Sequence, residues 1–167
     1  MAFIKNNNLK FKKMKNLLVV VLVALSLNGF AQQKELEWHT DVNKAIKIST
    51  QTGKPLFFFF TGSDWCGWCK RLVKEVFIKP EFAAWAAKNV VLVELDFPRK
   101  TPISPDLKKQ NSELSKMFGV RGYPNVWFVT PQVTAAKVNF NKLGSQGYVA
   151  GGPAAWIAGA NNILKNK

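Results

Sequence analysis

Two cysteines and one histidine among 167 residues leave little for metal chemistry. A tetrahedral site takes four ligands, and Cys66 and Cys69 with a lone His39 far upstream make at most half of one. No well-separated cysteines exist either, so the fold has to hold without a disulfide staple. Acidic residues are scarce: 10 Asp and Glu stand against 24 Lys and Arg, a net charge of +14. The cations are scattered among apolar positions and not gathered into runs. They read as a solvated surface, and no nucleic-acid partner is expected, while attraction to acidic partners or an anionic membrane face stays open. A long apolar run is missing too, because Leu17 to Leu27 falls well short of the about 20 residues a bilayer span needs.

What the N-terminus does have is the pattern of a secretory signal peptide. Lys5, Lys10, Lys12, Lys13 and Lys15 precede that apolar run without any acidic residue, and Gly29 and Ala31 supply small residues at −3 and −1 for cleavage after Ala31. An uncleaved anchor is the competing reading. Met14 is an alternative start, since Met14-Lys15-Asn16 and the run already form a complete signal. No cysteine follows the cleavage site to carry a lipid. Residues 1–31 are therefore read as the signal and 32–167 as one domain placed in the periplasm. Removing five lysines lowers the net charge from +14 to about +9.

The remaining chain alternates between helix and strand. Helical spacing covers Asp41 to Thr52, with Thr40 or Asp41 as N-cap and Gly53 as stop. Leu56 to Thr61 reads as a strand buried on both faces, then Cys66 to Phe77 as a helix with Leu72, Val73, Val76 and Phe77 inward. Pro80 to Lys88 is a short helix and Val90 to Leu95 a second buried strand. Prolines 98, 102 and 105 mark Phe97 to Gln110 as a surface loop. Leu107 to Phe118 is the next helix, Asn125 to Val129 and Lys137 to Phe140 are strands joined tightly at Thr130-Pro131, and Pro153 to Leu164 is the last helix. The reading is an α/β fold with a central mixed β-sheet flanked by helices.

Cys66 and Cys69 sit where the strand ending in Phe60-Thr61 gives way to a helix. A bridge across two residues constrains the unfolded chain little, whereas helix-terminal N–H groups favour a thiolate. Trp65-Cys66-Gly67-Trp68-Cys69-Lys70 after a strand, with Gly119-Val120-Arg121-Gly122-Tyr123-Pro124 before another, resembles the thioredoxin superfamily over residues 36 to 165. The Lys54-Pro55 start, the Phe60-Thr61-Gly62-Ser63-Asp64 lead-in and the Gly147 to Pro153 ending resemble exported thioredoxin-like proteins related to the C-terminal domain of the bacterial thiol:disulfide interchange reductase. The resemblance implies a three-layer thioredoxin-like fold, with Cys66 attacking a substrate disulfide and Cys69 resolving the mixed disulfide. It implies protein disulfides as substrates, a membrane thiol reductase as electron donor, and no cofactor beyond the Cys66–Cys69 disulfide. Nothing resembles a dimerisation region, so a monomer is expected.

The same resemblance makes Pro124 a cis proline beside the dithiol, where an X–Pro bond read alone favours trans. The expected substrate surface is Trp65, Gly67, Trp68, Tyr123 and Pro124. Of the two indoles, Trp65 is the one expected to pack onto the domain, and Tyr123 either selects substrates or only packs. Thioredoxin's buried acid, six residues before the first cysteine, is replaced by Phe60, which leaves Glu94 or Asp96 as candidate proton acceptors for Cys69. Asp64 reads as a loop or cap residue. Gly67-Trp68 differs from the dipeptides of thioredoxin and of oxidases, so the redox direction is not legible, and the reducing direction follows only from the subfamily resembled. The alternative function is a non-catalytic peptide-binding or chaperone module.

Overall fold

A computed structural model describes residues 36–135 and 137–167. The segment read as a signal peptide lies outside the described residues. Strand β1 (Trp38–His39) leads into helix α1 (Val42–Thr52), followed by β2 (Leu56–Thr61), α2 (Gly67–Leu72) and a π-helical turn (Val73–Phe77). Then come α3 (Pro80–Asn89), β3 (Val91–Asp96), α4 (Pro105–Phe118), the hairpin β4 (Asn125–Val133) and β5 (Val138–Gln146), and α5 (Gly152–Leu164). The sheet order is β1-β3-β2-β4-β5. The first three strands run parallel, and β4 and β5 join antiparallel.

Alternation along β2 builds the three layers. Phe57 and Phe59 face one core with Cys66, Cys69, Leu72, Phe77, Phe82 and Trp156, beneath α2, α3 and α5. Leu56, Phe58 and Phe60 face the other core with Val42, Ile46, Leu114 and Phe118, beneath α1 and α4. Every residue of β2 is buried, as its unbroken apolar run predicts. In the first core Trp156 is fully enclosed, and its ring stands 5.4 Å from Phe77 and 5.8 Å from both Phe57 and Phe82. Such tilted and edge-on pairs each add about 0.5–1.5 kcal/mol beyond their area.

Local chemistry fixes the ends of the helices. Asp41 caps α1 by accepting from the amides of Asn43 and Lys44 at 2.8 and 3.2 Å, and Gly53 ends it in the left-handed region at φ 67°.

Several sequence expectations need correction. The helix expected through Phe77 stops being α-helical at Leu72. The next turn widens to an i→i+5 bond from the Ile78 amide to the Val73 carbonyl at 3.1 Å, which leaves Val73 half-buried while Val76 and Phe77 stay inward. The loop expected to reach Gln110 ends at Ser104, whose hydroxyl caps α4 by accepting from Leu107, and Pro105 fills the first helical position. Thr130-Pro131 is no turn: β4 runs through it to Val133 and the chain reverses between Thr134 and Lys137. Proline is tolerated there because β2 pairs only with Asn125 to Val129, so Pro131 lies on a stretch bonded on one side. The final strand is correspondingly longer than Lys137 to Phe140, and two-residue β1 had no readable pattern.

Candidate functional site

The parallel ends of β2 and β3 and the start of α2 converge on the cysteine pair. Cys66 is the N-cap of α2 and is joined to Cys69 by a disulfide, with the Cα atoms 5.2 Å apart. Its sulfur accepts the Cys69 amide at 3.1 Å. Cys66 is 6% exposed and Cys69 1%, so Cys66 is the more reachable sulfur. The turn before them is set by the Gly62 carbonyl, which accepts from the amides of Trp65 and Cys66 at 3.2 and 2.8 Å.

Trp65 packs onto the domain. Its indole N–H donates to the Phe97 carbonyl at 2.8 Å, the edge of the ring meets Tyr123 at 5.7 Å, and the Arg99 guanidinium lies over its face at 3.9 Å. Trp68, by contrast, is 55% exposed. It lies 5.1 Å from the Tyr148 ring, and Arg71 covers both rings. Glu75 locks that cluster by accepting from the Arg71 Nε and the Tyr148 hydroxyl, which hold its carboxyl below the usual range, Tyr148 most strongly. Gly67 is exposed beside Trp68. The Tyr123–Pro124 bond is cis, as the resemblance implies. Tyr123 is half-buried between Trp65 and Phe97, and burial raises its hydroxyl pKa.

The acids sort themselves by their partners. Phe60, in the place of thioredoxin's buried acid, packs with Phe58 and Phe118 on the face away from the cysteines. On the cysteine side a cavity of about 350 Å³ is lined by Cys69, Phe59, Thr61, Ser63 and Glu94. Glu94 is paired with Phe59 across the β2–β3 ladder and so shares its face. Burial, and then the nearby charge of Asp96, raise its pKa. Asp96 is itself occupied by the amide and hydroxyl of Ser63, at 2.8 and 2.5 Å. Asp64 is a loop clamp: its carboxylate accepts from the amides of Arg99, Lys100 and Thr101 at 2.7 to 3.1 Å. Those bonds, Arg99's foremost, lower its pKa to about 2.

Sequence reasoning missed Arg71, Glu75, Arg99 and Tyr148. Arg71 and Glu75 carried local signals, Arg71 lying three residues after Trp68 and Glu75 four residues after Arg71, all on one helix face. Among the described residues no group of His, Cys, Asp and Glu side chains is placed to hold a metal ion.

Comparison with known proteins agrees with this geometry. The family model of the thioredoxin-like domain matches residues 42–138. Disulfide bond reductase DsbH of Chlamydia pneumoniae is 32% identical over 130 residues, covering 78% of this chain and 74% of that protein. A solved DsbH oxidoreductase structure superposes with a TM-score of 0.68 over 79% of this chain and 86% of that one, at 32% identity. Thioredoxin-related protein DsbJ of the same organism is 31% identical over 124 residues, 70% of this chain but 36% of that protein.

Proposed function

The chain belongs to the thioredoxin-like family and is a protein-disulfide oxidoreductase, and from that premise we propose that it is an exported reductase using Cys66 and Cys69. The observation that carries this reading is the Cys66 sulfur at a helix N-cap, bonded to a buried partner, in a chain whose Tyr123–Pro124 bond is cis. The name of the DsbH relative, a disulfide bond reductase, supports the direction. The basic and apolar N-terminal segment supports export to the periplasm.

In the reduced protein the Cys66 thiolate attacks one sulfur of a substrate disulfide, forms a mixed disulfide and releases the first substrate thiolate. The Cys69 thiol gives its proton to the ionised Glu94 carboxylate across their shared cavity. Its thiolate then attacks the Cys66 sulfur, releases the second substrate thiolate and closes the Cys66–Cys69 bond. A raised pKa suits Glu94 to this step, since a carboxylate made more basic by burial takes the proton more readily than an ordinary one. A membrane dithiol reductase returns two electrons and two protons. Trp68, Gly67 and Pro124 border the approach to Cys66, and Trp65 and Tyr123 hold its loop. The protein works as a monomer.

Insulin reduction tests the reading. The wild type turns over, Cys66→Ser falls to background, and Cys69→Ser accumulates a covalent complex with substrate. Equal rates for the wild type and Cys66→Ser would leave only a peptide-binding module. Direction is read from the reduction potential: a value near thioredoxin's, about −270 mV, fits a reductase, and one near about −120 mV would make the protein an oxidant.

A further inference from the structure

Both tryptophans beside the reactive cysteine carry an arginine. Arg99 lies 3.9 Å over the Trp65 ring and Arg71 5.3 Å over the Trp68 ring. Both guanidiniums belong to exposed residues. A guanidinium stacked on an aromatic face is held in orientation while the N–H groups at its edge stay free for a bidentate acceptor. The carboxylates of this face are consumed within the protein. Asp64 is taken by the amides of residues 99 to 101, Glu75 by Arg71 and Tyr148, and Asp96 by Ser63. Arg71 uses its Nε on Glu75, and among the described residues no carboxylate forms an ion pair with Arg99. The face around Cys66 therefore presents two cationic hydrogen-bond donors, Arg99 with no carboxylate paired to it among the described residues and Arg71 engaged by Glu75 through its Nε alone, on a chain whose overall charge is strongly positive.

We propose that Arg71 and Arg99 are specificity-determining residues that select disulfides flanked by carboxylate side chains, one arginine on each side of the attacked sulfur. The inference rests on the dithiol reading above and names its substrate class: an extended polypeptide segment with Asp or Glu beside its cystine. Bidentate arginine–carboxylate contacts on both sides hold the segment across Cys66. The positive field speeds encounter with acidic segments and slows basic ones.

The test is the second-order rate at which the pre-reduced full chain is oxidised by three synthetic disulfide peptides. The peptides are identical except for Glu, Gln or Lys next to each cysteine. The Glu peptide is expected to react about tenfold faster than the Lys peptide at low salt, the gain from two exposed ion pairs of about 0.7 kcal/mol each. Raising the ionic strength to about 1 M shortens the screening length to about 3 Å and is expected to cut the preference to below about twofold. Arg71→Gln with Arg99→Gln is expected to abolish the Glu-over-Lys ratio. Equal rates for the three peptides in low salt, a ratio indifferent to salt, or one that survives the double substitution would overturn the assignment. The salt series needs only the wild type, so it decides even if the variant does not fold. Failure of all three peptides to oxidise the protein would sink the dithiol reading itself, an outcome distinct from equal rates.

Discussion

Gly62 is the tightest point of the active-site loop, and replacing it with alanine should be costly for a reason separate from backbone strain. A Cβ on residue 62 falls 2.4 Å from Cε2, 2.6 Å from Nε1 and 2.7 Å from Cζ2 of Trp65. Carbon atoms rest at about 3.5–4.0 Å, so the indole has to retreat by about 1 Å. It has nowhere to go, because Phe97 holds its N–H at 2.8 Å, Arg99 covers its face and Tyr123 meets its edge. A retreat of that size takes the indole bond beyond hydrogen-bonding distance. Overpacking costs about 1–3 kcal/mol and the lost bond about 1 kcal/mol, so Gly62→Ala should lose about 2–4 kcal/mol. Chemical denaturation checks this as a lower midpoint at unchanged slope, with slower thiol exchange, since Trp65 adjoins Cys66. The comparison is Gly67→Ala inside the dithiol motif, where an added Cβ meets nothing within 4 Å. Position 67 begins a helix, and alanine there should be neutral or stabilising by up to about 1 kcal/mol. A Gly62→Ala unfolding free energy within about 0.5 kcal/mol of the wild type would refute the argument that Trp65 is fixed.

Asp64→Asn should weaken the protein at neutral pH. The folded carboxyl titrates at about 2 against an ordinary 3.8, so its stabilisation is complete above pH 3.8 and fades as the pH falls towards 2; denaturation series at pH 7, 4 and 3 should show the gap between wild type and variant closing. Glu94 carries the opposite sign, because its folded pKa lies above the ordinary 4.5 and wild-type stability is lost as the pH rises through that window. Glu94→Gln should therefore be the more stable protein at pH 7 and no more stable at pH 3. Release of the mixed disulfide should slow by roughly 10²-fold in the same variant, the loss of a general base, and rapid-quench trapping of the complex would show it; unchanged release would remove Glu94 from the mechanism.

The features legible in the sequence were those with a local cause. The apolar run of β2, the Asp41 cap and Gly53 stop of α1, and the dithiol at a strand–helix junction all follow from residues adjacent in the chain. The cis bond at Pro124 came from resemblance alone, since proline by itself favours trans. Strand β4 runs past Pro131 although proline usually punctuates a strand, because whether it interrupts a ladder depends on which side its neighbour lies, a fact of pairing that the chain does not spell out. Tyr148 and Arg99 were invisible because their partners, Glu75 and Trp65, stand 73 and 34 positions away. Strand alternation could have put Phe60 on the far face, counting from the inward side chains at 57 and 59. The family position instead points to an acid site on a face that Cys69 does not share.

Sparing use of cysteine is what lets the sulfur chemistry stay local. The one disulfide spans a sequence separation of 3. Closing so short a loop restrains the unfolded chain by about 2 kcal/mol, against about 4.7 kcal/mol for a bridge across a hundred residues. The fold instead rests on cores in which Phe57, Phe82, Phe128 and Trp156 are fully buried, side chains that carry no redox chemistry of their own. That packing meets the reaction through Cys66 and Cys69, which belong to the first core, and through Phe59 at the cavity with Glu94. A protein that must pass repeatedly between dithiol and disulfide cannot let its fold depend on either state. Placing the only two thiols within one helical turn, and the stability in rings, meets that requirement.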